Sequence, residues 1–202
     1  METLIKINLD EILKKEKYIA VDIGCGSKKK EGRIGVDKVD LPQIDIIADI
    51  ENGLEFFPDG SVDEIHCRSV LEHVTNFEFI LREMLRIIKK EGEIHIFVPH
   101  FSNPHYYSDP THIRFFGLYT FYYFTDTEHQ LRRKVPNFYS DIRLRILSQK
   151  LVFRSTFKLI NPIKKAFGWL INRSKLIQEY YEENLVYIFP AHGIEMIMGH
   201  VD

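Results

Sequence analysis

Tyr18-Ile19-Ala20-Val21-Asp22-Ile23-Gly24-Cys25-Gly26 runs from an apolar stretch into two glycines one residue apart. Asp37 then closes a second apolar run, Arg33–Val36. The first run reads as a buried strand and Gly24-Cys25-Gly26 as the tight turn that follows it. Glycine carries no Cβ, so a backbone turn built from it can approach a ligand closely. A carboxylate at the tip of the next strand can accept hydrogen bonds from a ribose diol. The two features together point to a cofactor that contains a nucleoside.

A dinucleotide site would continue as G-x-G-x-x-G into a helix whose N-terminus neutralises the pyrophosphate. Here Lys29 stands at the third glycine position. The segment Ser27–Gly32 is also too short for a crossover helix, which needs a dozen or more residues. An extended path from Gly24 to Arg33 still reaches about 30 Å, enough to return along a short strand. The pattern D-x-G-x-G with a strand-end acid therefore fits S-adenosylmethionine, a nucleoside ligand without a pyrophosphate, better than a dinucleotide.

Outward from this turn the chain alternates strands and helices. Leu9–Lys17 has helical spacing with early acids and late lysines. Ile44–Ile50 and Val62–Cys67 read as further strands, separated by the turn Phe57-Pro58-Asp59-Gly60-Ser61. Phe77–Lys90 is an amphipathic helix, stopped by Glu91-Gly92, and Glu93–Val98 is the fifth strand. Lys150–Ile160 is a further strand candidate, and Pro162–Tyr181 is helical. Leu185–Phe189 and Ile194–Val201 read as two closing strands. This predicts an α/β fold: a Rossmann-like, mostly parallel sheet with helices on both faces and a C-terminal antiparallel strand pair. With 202 residues the chain is expected to be one domain, residues 1–202, in which residues 99–184 form a substrate-binding elaboration. Two cysteines imply no disulfide framework, and no apolar run is long enough to span a bilayer, so a cytoplasmic location is expected.

The stretches VDIGCG, GVD, IIADIENGLEFFPDGSVDEIHCRSVLEHV and KKEGEIHIFVP, in this order across residues 19–98, resemble a class I S-adenosylmethionine-dependent methyltransferase. They are similar to the subset of type 11-like enzymes with a truncated first helix. The resemblance implies S-adenosylmethionine as cofactor. Gly24 and Gly26, with Cys25 between them, would face its methionine part, and Asp22 would position the turn or the amino group. Asp37 would take the ribose hydroxyls and Asp49 and Ile50 would bracket the adenine. Arg68 and Ser69, in the segment Cys67–Val70, would back the methionyl end. Lys28–Lys30 would supply the charge that a helix N-terminus usually gives.

Ligands of such sheets sit beyond the carboxyl ends of the strands, so the segment after Pro99 faces the acceptor. It carries His100, His105 and His112, the candidate bases. Neutral imidazole near its ordinary pKa can take the proton of a hydroxyl during transfer. Arg114, Asp109 and Tyr106 are the candidate substrate contacts, with Arg114 suited to an anionic group. Asp109-Pro110-Thr111-His112-Ile113-Arg114 also resembles a segment of methyltransferases associated with cell-surface polysaccharide. Glu72 and His73 suit a helix cap or a substrate contact equally. The His100, His105, Asp109 and His112 spacing matches no zinc pattern, and no metal is expected. The function predicted is methylation of an oxygen on a small-molecule or glycan-type acceptor, sugar-containing or anionic.

Charge opens two further readings. Residues 130–175 hold 12 Lys/Arg and the single acid Asp141, a balance of +11 in a chain whose net charge is −2. Such a segment can meet nucleic acid, which makes RNA methylation the alternative, though it contains no recognisable RNA-binding module. Phe157–Lys175 mixes Trp169 and aliphatic residues with lysines, a pattern of either core packing or peripheral membrane contact. A non-catalytic cofactor-binding protein is the third alternative.

Overall fold

The computed structural model describes residues 2–201. The elements in chain order are β1 (Leu4–Ile5), α1 (Leu9–Lys15), β2 (Ala20–Ile23), β3 (Ile34–Asp37), β4 (Ile46–Ile47), β5 (Val62–Arg68), α2 (Phe77–Ile87), β6 (Ile88–Pro99), β7 (Arg145–Val152), α3 (Asn161–Ile171), α4 (Lys175–Asn184) and β8 (Gly193–Gly199). One eight-stranded sheet runs β1-β4-β3-β2-β5-β6-β8-β7. The five strands from β4 to β6 are parallel, β1 is antiparallel at one edge, and β8 pairs antiparallel with both β6 and β7. This is the expected α/β architecture with its C-terminal antiparallel pair.

Several boundaries differ from the sequence reading, each for a local reason. Leu185–Phe189 is a turn: the amides of Ile188 and Phe189 both donate back to the Leu185 carbonyl. The outer strand that pairs with β8 is β7, inside the basic stretch, where the register shift between Ile146 and Ser148 and the polar run Ser148-Gln149-Lys150 break the alternation. The predicted helix Pro162–Tyr181 is two helices, because the Ser174 side chain caps a new start by accepting from the Ile177 amide. The helix from Phe77 stops at Ile87, since Ile88 is already extended (φ −71°, ψ 140°) and begins β6. The strand expected over Ile44–Ile50 shrinks to Ile46–Ile47, because Asp49 leaves the sheet to cap the 3-10 turn Ile50–Asn52.

Period-two alternation divides the sheet into two unlike faces. Asp22 lies in register with Gly35 and His66, His66 with His95, and His95 with Ile197. The alternate positions, among them Val21, Ile23, Ile65, Cys67, Ile94 and Ile96, are buried in a single core. Helix α2 supplies Phe77, Ile80, Leu81, Met84 and Ile87 to that core, spaced for one helical face. The segment after β6 adds Phe116, Phe121 and Phe124, whose rings lie 5.5–5.8 Å from Phe77. Between β2 and β3 the chain makes only the 3-10 turn Gly26–Lys28, so no crossover helix lies there and the polar residues keep their own row.

Candidate active site

The C-terminal ends of β2, β3, β4 and β5 meet at a cleft. At its centre Gly24 and Gly26 both have positive φ, +66° and +51°. Gly24 is held there by the hydrogen bond its amide donates to the Val36 carbonyl (2.8 Å), and a Cβ on it would collide with Val70 Cγ2. Ser69, just past β5, is the single non-glycine residue with positive φ among the described residues (+56°). Its amide donates to the Phe97 carbonyl at 2.9 Å, which holds this strained turn at the rim.

Two cavities share Gly24 and Ser69. One, of 370 Å³, is bordered by Asp37, Asp49, Ile50 and Val74. The other, of 540 Å³, is bordered by Asp22, Cys25, Gly26, Arg33 and Arg68. Every predicted cofactor residue therefore borders one or both. Asp37 accepts the Gly26 amide at 2.8 Å through one oxygen and the Val39 amide at 3.0 Å through the other. Each oxygen keeps a free lone pair for a ribose hydroxyl. Asp49 accepts the Glu51 amide and keeps its second oxygen free, while Ala48, Ile50, Val70 and Val74 offer an apolar slot for a base. The donor set fits S-adenosylmethionine. Burial and then Asp22 and Asp37 push the Cys25 thiol up to about 11, which disfavours its thiolate form. Arg68 lies 3.9 Å over the Phe97 ring. Lys28 and Lys30 border the larger cavity, but Lys29 turns away to bond Asp45 at 2.7 Å.

A cluster of titratable groups stands beside this cleft. Backbone bonds from Ile113 (2.9 Å) and Arg114 (3.3 Å) to the Glu72 carbonyl dock the segment Asp109–Arg114 onto the end of β5. Glu72 is 1% exposed, and its Oε2 has no hydrogen-bond partner. Burial pushes its carboxyl up to about 7, and Asp109 adds to the effect. The buried Tyr106 hydroxyl is likewise unpartnered. His112 Nδ1 donates to the Tyr106 carbonyl (2.9 Å), which leaves the Nε2 lone pair facing Asp109 (3.6 Å) and Glu72 (4.0 Å).

His73 borders the cavity with Thr111. The Thr111 hydroxyl donates to Asp109 at 2.6 Å, so its oxygen accepts the proton on His73 Nδ1 at 2.9 Å. His73 Nε2 is thereby the basic nitrogen, and its ring lies 4.7 Å from that of His112. Glu72, His73 and His112 each offer a ligand atom within 4.8 Å of the others, a set competent to hold a metal. Glu64, His66 and His95 do the same on the polar sheet face, where Arg33, 3.8 Å from Glu64, opposes a cation.

The other predicted residues are dispersed. His100 is fully buried, with Nδ1 on Ser102 and Nε2 on Glu182, both at 2.8 Å, so neither nitrogen is free. His105 lies toward His192, which burial, Arg154 and His105 push down to about 4. Arg114 donates to the Thr75 carbonyl at 3.0 Å and borders a separate cavity of 470 Å³. His73 is the residue whose place in the site the sequence reading left open. Its signal was Leu-Glu-His-Val directly after a strand.

Residues 9–96 match a family model described as a methyltransferase domain. No curated protein matches the chain. Among solved structures, an S-adenosylmethionine-dependent methyltransferase from Archaeoglobus fulgidus has a TM-score of 0.57 at 18% identity, over 95% of this chain and 92% of that one. Coclaurine N-methyltransferase, bound to N-methylheliamine and S-adenosylhomocysteine, has a TM-score of 0.54 at 16% identity, over 95% and 69%. An S-adenosylmethionine-dependent methyltransferase from Mesorhizobium loti has 0.52 at 12% identity, over 90% of each chain. At these identities the structural likeness establishes the fold.

Proposed function

Since the chain is a class I S-adenosylmethionine-dependent methyltransferase, an enzyme rather than a non-catalytic binder, we propose that its acceptor is a hydroxyl group on a small-molecule or glycan-type substrate. The observation that carries this reading is the His73–Thr111–Asp109 chain, which leaves a basic imidazole nitrogen on the wall of the cofactor cavity. A hydroxyl must lose its proton as it is methylated, and such a nitrogen can take it.

When bound, S-adenosylmethionine supplies an electrophilic methyl group on a sulfonium. Asp37 would hold its ribose, Asp49 and Ile50 its adenine, and the Gly24–Gly26 turn its amino-acid end. His73 takes the acceptor proton at Nε2. Asp109, through Thr111, fixes the tautomer and stabilises the imidazolium. Glu72 and His112 stand behind it as positioning residues, and the Glu72 carboxylate adds negative charge once it ionises. Residues 99–184, which deliver Asp109, Thr111 and His112, form the substrate-binding elaboration. We place the reaction in the cytoplasm; among the described residues no helix is long and apolar enough to cross a membrane.

The test offers labelled S-adenosylmethionine with panels of hydroxyl, carboxyl and amine acceptors. Label should enter hydroxyl compounds, and His73→Gln should lower kcat at least tenfold while cofactor affinity stays constant. Transfer to amines alone, with His73→Gln fully active, would refute the reading.

A further inference from the structure

Helix α3 packs only part of its apolar surface and leaves the rest exposed. Its inner side packs Gly168 and Phe167 against Phe153, and the Phe167 ring also lies tilted against that of Phe189, centroids 4.3 Å apart. Next to Phe167 on the helix, at i−4 and i+3, Ile163 and Leu170 are both exposed. The residues leading into the helix continue this surface: Phe157 is 74% and Leu159 88% exposed. Trp169 is 66% exposed, and Lys164 ties the segment after α4 to α3 through the Pro190 carbonyl (3.2 Å). Isolated surface apolar residues need no explanation, but a contiguous set of this size does.

The charge around the patch has one sign. Between Asp141 and Glu179 the sequence contains no acidic residue and nine Lys or Arg. Lys158, Lys165, Arg173 and Lys175 flank the apolar side chains, and the Arg173 guanidinium lies 4.7 Å over the Trp169 ring. Two copies of the chain docked through this face would set these cations against one another. A surface of phosphates would be attracted by all of them.

We propose that the α3 face is a docking surface for an anionic phospholipid bilayer. The exposed aliphatic and aromatic side chains enter the boundary between headgroups and acyl chains, where an indole is favoured, and the flanking cations meet the lipid phosphates. An enzyme held this way would meet acceptors presented at the membrane surface.

Trp169 is the single tryptophan of the chain, so its fluorescence reports this face directly. The full chain is mixed with phosphatidylglycerol vesicles or phosphatidylcholine vesicles and followed by tryptophan emission and co-sedimentation. Emission should shift to the blue with phosphatidylglycerol. The bound fraction should exceed that with phosphatidylcholine by about tenfold and fall as salt screens the lysines. Leu159→Glu should abolish both signals while titration calorimetry shows unchanged cofactor binding, which reports an intact fold. Lys158→Glu with Lys165→Glu should weaken sedimentation without dimming the cofactor signal. No emission shift with either vesicle would overturn the proposal. So would a lipid-free dimer that Leu159→Glu disperses in light scattering, since a second copy would then cover the face.

Discussion

Replacing Glu72 by glutamine tests the electrostatics of the site through stability, with no need to know the acceptor. Burial raises the Glu72 carboxyl from 4.5 to about 7. The folded state therefore holds the proton more tightly than the unfolded state, and between these two values it binds more protons. By linkage, stability falls as pH rises through this window: the contribution is fully present below 4.5 and lost above 7. At about 1.36 kcal/mol per pKa unit, a shift of this size amounts to roughly 3 kcal/mol lost by pH 8. Glutamine keeps the shape and carries no titrating proton, so Glu72→Gln should be insensitive to this term. Urea unfolding of both proteins from pH 5 to pH 8 is the assay. With a slope near 2 kcal/mol per molar, the wild-type midpoint should fall by about 1 M more than that of the variant. Parallel loss of stability in the two proteins would refute the claim that Glu72 is held near neutral pKa by burial.

Asp37→Asn should lower S-adenosylmethionine affinity by at least tenfold, about 1.4 kcal/mol, because the ribose acceptor and the Gly26 amide bond weaken together; titration calorimetry reads it. For Gly24→Ala, a Cβ would meet Val70 and also require positive φ. Pairing it with Val70→Ala should restore cofactor binding only in part, since the backbone strain of about 1–2 kcal/mol remains. Arg86 donates to the Leu54 and Phe57 carbonyls and to Glu83 and Asp59. Arg86→Ala should cost about 3 kcal/mol in chemical denaturation, because it strips the half-buried Glu83 carboxylate of its cation, leaving it only the Leu54 amide, and leaves the Phe57 carbonyl without its donor.

The donor half of the site was open to inspection in the sequence because its requirements are local. A tight turn needs Gly24 and Gly26 themselves, and a strand-end acid sits where its strand ends. Both follow from neighbours along the chain. The acceptor half was open only as a region. Asp109, Thr111 and His112 could be singled out, but their partner His73 lies 38 residues from Thr111. Nothing along the chain says which imidazole will meet which carboxylate. His100 is a candidate base in the sequence, and only the fold sets Glu182, 82 residues away, on its Nε2. The same holds for β7, whose pairing with β8 is set by the sheet and not by its own alternation.

The amino-acid sequence by itself determined the parallel α/β order, the tight glycine turn after β2 and the concentration of positive charge in residues 130–175. Each rests on periodicity, backbone freedom or composition, which adjacent residues fix. Tertiary structure alone decided which histidines border the two cavities, His73 the smaller and His66 and His95 the larger, that Glu72 is buried enough to hold its proton near neutral pH, and that Ile163, Trp169 and Leu170 of α3 stay exposed. Those outcomes depend on which distant segments exclude water from a side chain, and burial of that kind exists only once the chain has closed on itself.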